Sequence, residues 1–295
     1  MPRLLSCACL LLLSANILHA QKYAIRLERP DHVGDRYRLS VSGARFQRSS
    51  VSKDGQVLQD ATDEYQVSLK ALVEVLEVDS KGKPVRKSLT IDTLTKSQKG
   101  VESELLKPGT VVYTDGAQPK SSQIVVRGRT LEPEVREALD IVVTTHRPNS
   151  PSDDDIFGTA DQKGIGESWS INRQLAAEDL SNNGLTLSAE NLSGKVSLMA
   201  KDAVAGVDCL SVTGTFNADG VRPASLPPTV TVERAAMRGT FGGCFPLTEA
   251  SLPNRQSMDM FIELSAKGDA GSPMEGLKVA ITLQQKVEML STNAK

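Results

Sequence analysis

Met258-Asp259-Met260-Phe261-Ile262-Glu263-Leu264-Ser265 is the stretch that decides the fold. Met258, Met260, Ile262 and Leu264 fall on every second residue, with Asp259, Phe261 and Glu263 between them and Ser265 after. Successive side chains of a β-strand point to opposite faces, so this run reads as a strand with one face on a core and one toward water. Leu277, Val279, Ile281 and Leu283 repeat the rhythm against Lys278, Ala280, Thr282 and Gln284. Tyr37, Leu39 and Val41 alternate with Arg36, Arg38, Ser40 and Ser42, and Tyr65, Val67 and Leu69 with Gln66, Ser68 and Lys70. Strands that keep a polar face are usually antiparallel, because parallel sheets are covered on both sides. The expectation is a mainly β protein of large antiparallel sheets, with about 12–14 strands.

Turn-forming residues sit where such strands must reverse. Lys53-Asp54-Gly55, Asp79 to Pro84, Asn183-Gly184 and the loop Lys267 to Gly276 each separate two apolar runs. Asp and Asn tolerate left-handed backbone, and Gly has no steric cost there. One helix is predicted near 133–143. Thr130 is its candidate N-cap, Pro133 suits the first turn, and Val135, Ala138, Leu139 and Val142 make one apolar stripe. Arg173 to Leu180 is a shorter candidate helix.

The segment 146–163 reads as an exposed linker, since it holds Pro148, Pro151 and the run Asp153-Asp154-Asp155. It would join a first β unit, 21–145, to a second, 164–295. The two units share a signature. Val33-Gly34-Asp35-Arg36-Tyr37-Arg38-Leu39 matches Ile165-Gly166-Glu167-Ser168-Trp169-Ser170-Ile171 in character at every position. Pro108-Gly109-Thr110-Val111 resembles Arg238-Gly239-Thr240-Phe241, and the hairpin around Gly82 corresponds loosely to Lys201 through Val207. A duplicated β unit is one explanation, and chance likeness between strand-turn segments is the other.

Residues 1–20 carry a second decision. Arg3 precedes an apolar run from Leu4 to Leu18, and Leu18-His19-Ala20 closes it with a small residue. That layout predicts a secretory signal peptide, with an uncleaved anchor as the alternative. Export agrees with the cysteines. Cys7 and Cys9 leave with the signal, and Cys209 and Cys244 remain to form a disulfide or two separate buried thiols. The destination would be periplasmic or extracellular, with no transmembrane segment after signal removal.

Charge and motifs remove whole classes of function. With 34 basic and 36 acidic residues interspersed, the chain has no electrostatic reason to seek nucleic acid or anionic lipid. Beyond the signal only His32 and His146 are left, and no Gly-x-Ser-x-Gly elbow accompanies them, so no catalytic residue is nominated. No Cys-x-x-Cys or His-Glu-x-x-His occurs, so no metal ligand is nominated either. Asp153-Asp154-Asp155 could offer oxygens to calcium, but Phe157 stands where a calcium loop wants another acid or Asn. Gly239-Thr240-Phe241-Gly242-Gly243 lacks the Lys-Ser or Lys-Thr of a phosphate loop, and reads as a bulge or tight hairpin bringing Cys244 toward Cys209. No cofactor is expected.

The Gly34-Asp35-Arg36-Tyr37-Arg38 opening, the strand Val73 to Val78 with its turn, and Gly166-Glu167-Ser168-Trp169 resemble exported bacterial β-rich proteins of unknown function, often lipoproteins. A looser architectural similarity is to periplasmic lipoprotein carriers. With neither catalytic clusters nor metal ligands beside abundant half-buried strands, the expectation is a non-catalytic exported protein of the cell envelope, binding or structural, with a peptide, glycan or lipid held by a sheet face. The alternatives are a periplasmic lipid or lipoprotein carrier with an apolar cavity, lined by the Met258/Met260/Ile262/Leu264 face, and a hydrolase using His146 or His32.

Overall fold

The computed structural model describes residues 21–126, 131–248 and 252–294. The signal segment 1–20 and the predicted N-cap Thr130 lie outside them. Twelve strands form one antiparallel sheet: β1 (Arg36–Lys53), β2 (Gln56–Val78), β3 (Pro84–Gln98), β4 (Val101–Leu106), β5 (Val111–Asp115), β6 (Ile124–Val126), β7 (Ser168–Ser170), β8 (Leu192–Val204), β9 (Val207–Asp219), β10 (Val230–Pro246), β11 (Asn254–Gly268) and β12 (Leu277–Asn293). Their order across the sheet is β6-β5-β3-β2-β1-β12-β11-β10-β9-β8-β7, with β4 paired to β3. Three helices accompany it: α1 (Pro133–Val142), α2 (Asp153–Phe157) and α3 (Arg173–Asn182).

The expected turns make the hairpins. Asp54 and Gly55 have φ of 49° and 84°, the left-handed pair that a two-residue connection between twisted strands requires. The join between the chain's two ends is non-local. β12 pairs with β1 over its whole length, from Leu277 opposite Lys53 to Asn293 opposite Tyr37.

Register sorts the side chains into two faces. Val41, Met289, Gln256 and Gly243 share one row, and Leu283, Ile262 and Met237 share another. This inner face carries two apolar clusters. The first joins β1, β2, β3, β5 and β6 to α1, through Val67, Leu69, Leu89, Ile91, Val112, Ala138 and Leu139. The second joins β8, β9 and β10 to Ile25, Leu27, Ile156 and Ala176. The outer face is polar, with ion pairs such as Arg234–Glu263 at 2.9 Å and Lys286–Asp259 at 3.2 Å.

Helix α1 begins at Pro133 with Glu132 as N-cap, and buries Val135, Ala138, Leu139, Ile141 and Val142. It lies close because β1 has Gly43 beneath it, where a Cβ would collide with Ile141 and Val142. The segment 146–163 is exposed at 147–149 and 160–162 but packed in its middle. Ser152 and Asp155 form a reciprocal capping box that starts α2, and Ser150, Pro151 and Ile156 are buried. Two of the three carboxylates of the acidic run have partners in the protein, Asp154 on the N–H groups of Leu27 and Glu28 and Asp155 on Lys81 and the Ser152 N–H, while Asp153 stays open to water.

The matched openings do share local geometry. Gly34 and Gly166 have φ of 90° and 86°. The Asp35 carboxylate accepts from the His32 N–H at 2.9 Å, and the Glu167 carboxylate from the Gly164 N–H at 3.0 Å. Beyond these turns the likeness fades, since β1 is an 18-residue central strand and β7 a three-residue edge. Gly109 sits in a turn at φ 81°, whereas Gly239 lies within β10. Duplication of the whole unit is not shown.

Candidate functional site

Between the two clusters the inner face is only half-covered. Met258, Ile262 and Leu264 of β11 face Val287, Leu283 and Ile281 of β12, and Met260 faces the polar Gln285. All are partly open to solvent, and Met258 is 40% exposed. At the end near Asn254 this strip runs into a cavity of about 600 Å³. Tyr37, Phe157, Phe216, Phe241, Phe245, Met258, Val287 and Met289 supply its apolar wall. Aromatic residues are scarce in the chain, yet four of its six phenylalanines line this one space.

Local sequence places those rings. β9 carries Gly214-Thr215-Phe216 and β10 carries Gly239-Thr240-Phe241, and the antiparallel register sets Gly214 opposite Phe241 and Phe216 opposite Gly239. Each ring lies over the facing glycine, where any Cβ would collide with it. Aromatic side chains covering cross-strand glycines are a known way to hold a bent, register-fixed sheet. The glycines of 239–243 therefore form neither the bulge nor the tight hairpin expected: β10 runs unbroken through them to Pro246. The repeated Gly-Thr-Phe tripeptide was the legible signal. Cys209 and Cys244 do join in a disulfide, with Cα atoms 5.4 Å apart on adjacent strands β9 and β10.

The cavity's other wall is charged. Residues 25–31 cross it as a strap, anchored by buried Ile25 and Leu27 and by Asp154, whose carboxylate accepts from the N–H of Leu27 at 2.6 Å and of Glu28 at 3.3 Å. Helix α2 bridges to both sides. Lys81 donates to Asp155 at 2.8 Å, Lys83 donates to the Pro151 carbonyl at 2.9 Å, and Trp169 Nε1 donates to the Phe157 carbonyl at 2.7 Å. Tilted ring packing of Phe157 against Phe241, with centroids 4.6 Å apart and planes at 52°, pins the helix to the apolar wall.

Burial dominates the titration of this wall. Glu28 is pushed up to about 7 by desolvation and then by the neighbouring Asp153 charge. Asp153 still reaches water inside the cavity, yet crowding by protein atoms raises it too. Lys87 is brought down to about 8 by burial. His146 is driven to about 3 by burial and by Lys87 and Lys83 nearby, so it is neutral at pH 7. Asp155 moves the other way, to about 2, because Lys81 holds its charged form.

The two histidines part company here. His146 lines the cavity, whereas the His32 side chain is 80% exposed on the Gly34 turn beside Asp35. No hydroxyl among the described residues hydrogen-bonds His146. Among the described residues no group of three or more His, Cys, Asp or Glu side chains is placed to hold a metal ion, and no helix is long and apolar enough to cross a membrane.

No protein-family model and no curated protein matches the sequence. Solved structures show only distant likeness. Lipovitellin, described for its lipid-protein interactions, matches at 11% identity and TM-score 0.30 over 90% of this chain. This chain spans about a quarter of lipovitellin's length, 26%. The outer membrane protein OprG from Pseudomonas aeruginosa matches at 9% identity and TM-score 0.18, covering 90% of this chain and 100% of its own. A LolA superfamily protein from Nitrosomonas europaea matches at 10% identity and TM-score 0.16, covering 87% and 88%. These are likenesses among large antiparallel β proteins, and the reading of function rests on the site instead.

Proposed function

We propose that this chain is an exported, non-catalytic binding protein that carries a lipid-like ligand in the inner trough of its sheet. The carrier reading, held above as the alternative, gains over a purely structural one. One observation carries it: a phenylalanine- and methionine-lined cavity opens onto a half-covered, largely aliphatic strip between two helix-capped cores. A sheet that needed only to fold would cover that strip, because apolar area left in water forgoes roughly 25 cal/mol per Å². The strip from Met258 to Leu264 covers six residue steps, about 20 Å at strand rise. An extended acyl chain fits such a track.

The faces also argue against a membrane-spanning barrel. Such barrels turn apolar side chains outward and polar ones inward. Here the apolar side chains face in, the outer face carries Arg–Glu and Lys–Asp pairs, and the edge strands β6 and β7 are not joined to each other.

Native mass spectrometry of protein purified from cells without detergent tests the reading. The expected spectrum holds a co-purifying lipid adduct, reduced at least severalfold in Met258→Glu, whose new charge would stand in the trough. Clean apo-protein that also takes up no lipid from added vesicles contradicts it.

A further inference from the structure

β3 carries a charged side chain on its apolar face. Its inward positions are Val85, Lys87, Leu89 and Ile91, so one lysine sits in an aliphatic row. Lys87 is 9% exposed and donates one hydrogen bond, to the Thr144 carbonyl at 3.0 Å. An ammonium group has three donors, and a buried charge without a counter-charge is costly. The same strand shows the usual remedy. Lys96, also inward and buried, has the Glu134 carboxylate at 3.0 Å and lies 4.4 Å from the Tyr65 ring centroid. Among the described residues Lys87 has no carboxylate within ion-pair distance. Asp31 is near enough to be felt, but Arg29 holds it at 3.5 Å.

The groups around Lys87 carry both signs: the carboxyls of Glu28, Asp31, Asp153 and Asp154 share the cavity lining with the basic groups, and burial raises all four toward their neutral form. Lys83, Lys87 and Arg29 face the cavity with neutral His146 and Tyr37, opposite Asp31, which burial pulls toward its protonated form. Met289 and Val287 lie on the same cavity wall and lead to Met258. An anion placed at Lys87 would gain a counter-charge and two free donors, with an apolar track leading away from it. A neutral group would gain the donors without the counter-charge, and a cationic group would gain neither.

Building on the carrier reading, we propose that the ligand is a single-chain amphiphile with an anionic head, the head seated on Lys87 and the chain running past Met289 and Val287 to Met258. Carboxylate and phosphate heads share the required charge, and a fatty acid or a phosphorylated lipid would supply them. Calorimetric titration of the full chain with laurate, dodecyl phosphate and dodecan-1-ol tests this. At least one anion is expected to bind about tenfold tighter than the alcohol, as one charge-assisted contact would provide. The tighter of the two names the head. Lys87→Met should erase that advantage, and Lys96→Met should keep it. Should Lys87→Met not fold, raising the pH through about 8 in Glu28→Gln, which removes the neighbouring carboxyl that itself titrates at about 7, should shrink the laurate advantage by deprotonating Lys87, with the alcohol unaffected. Equal affinities for all three ligands, or an advantage indifferent to both Lys87→Met and pH, overturn the head-group assignment and leave the carrier standing. Failure of all three to bind removes both.

Discussion

At the scale of single residues, glycine does in this sheet what large side chains do elsewhere: it makes room. Gly214 and Gly239 give floor space to the rings of Phe241 and Phe216, and Gly43 lets α1 descend onto β1. Gly239→Val would drive a branched side chain into the Phe216 ring, and an overpacked core typically loses about 1–3 kcal/mol. The urea midpoint should fall with an unchanged denaturant slope. A midpoint at the wild-type value would mean the ring is free to move, and that the paired Gly-Thr-Phe tripeptides do not fix the register. Lys87 makes the complementary point about charge. Its place in an aliphatic row was visible in the alternation of β3, but its want of a carboxylate was not. That depends on Glu134 having come to Lys96 from a helix 38 residues away.

At the scale of elements, the informative piece is the strap of residues 25–31 with the short helix beneath it. α2 is five residues long, far below the length at which a helix is stable alone, so its capping box and its contacts hold it. Glu28 lies on the strap with its carboxyl raised to about 7 from 4.5. The folded state thus favours the protonated acid. The stability this gives is complete below about pH 4.5 and is lost as the pH rises toward about 7. Glu28→Gln keeps the neutral form at every pH. The variant should match the wild type below about pH 4.5 and become progressively more stable than it through about pH 7. Thermal melts of both proteins across that range measure the difference, and a constant offset would mean that the strap does not desolvate the carboxyl. His146 titrates in the opposite sense, losing stability as the pH falls from 6.5 toward about 3. The comparison is therefore made between variants and not on the wild type alone.

At the scale of the whole molecule, a sheet of twelve strands closes its sequence ends together, β12 on β1, and caps its inner face at two places. The disulfide lies away from that closure, tying β9 to β10 across 35 residues. Loop-closure entropy gives such a bridge about 3–4 kcal/mol. Reduction, or paired Cys209→Ala and Cys244→Ala, should lower unfolding stability by that order while the β circular dichroism persists, because the two strands are already hydrogen-bonded from Cys209–Pro246 to Asp219–Ala236. Loss of the β signal itself on reduction would show that the bridge holds the fold together, not merely its stability. Period-two alternation determined the class of fold, and turn chemistry placed the hairpins at Asp54-Gly55, Asp79 to Pro84 and Lys267 to Gly276, since both are local properties of the chain. Pro133 and one apolar stripe likewise sufficed for α1. What the sequence could not determine was which strands meet across long separations, which part of the apolar face stays uncovered, and which carboxylates find lysines. Those outcomes depend on pairings between distant segments, whose partners carry the same alternating pattern and so look alike until the chain has folded.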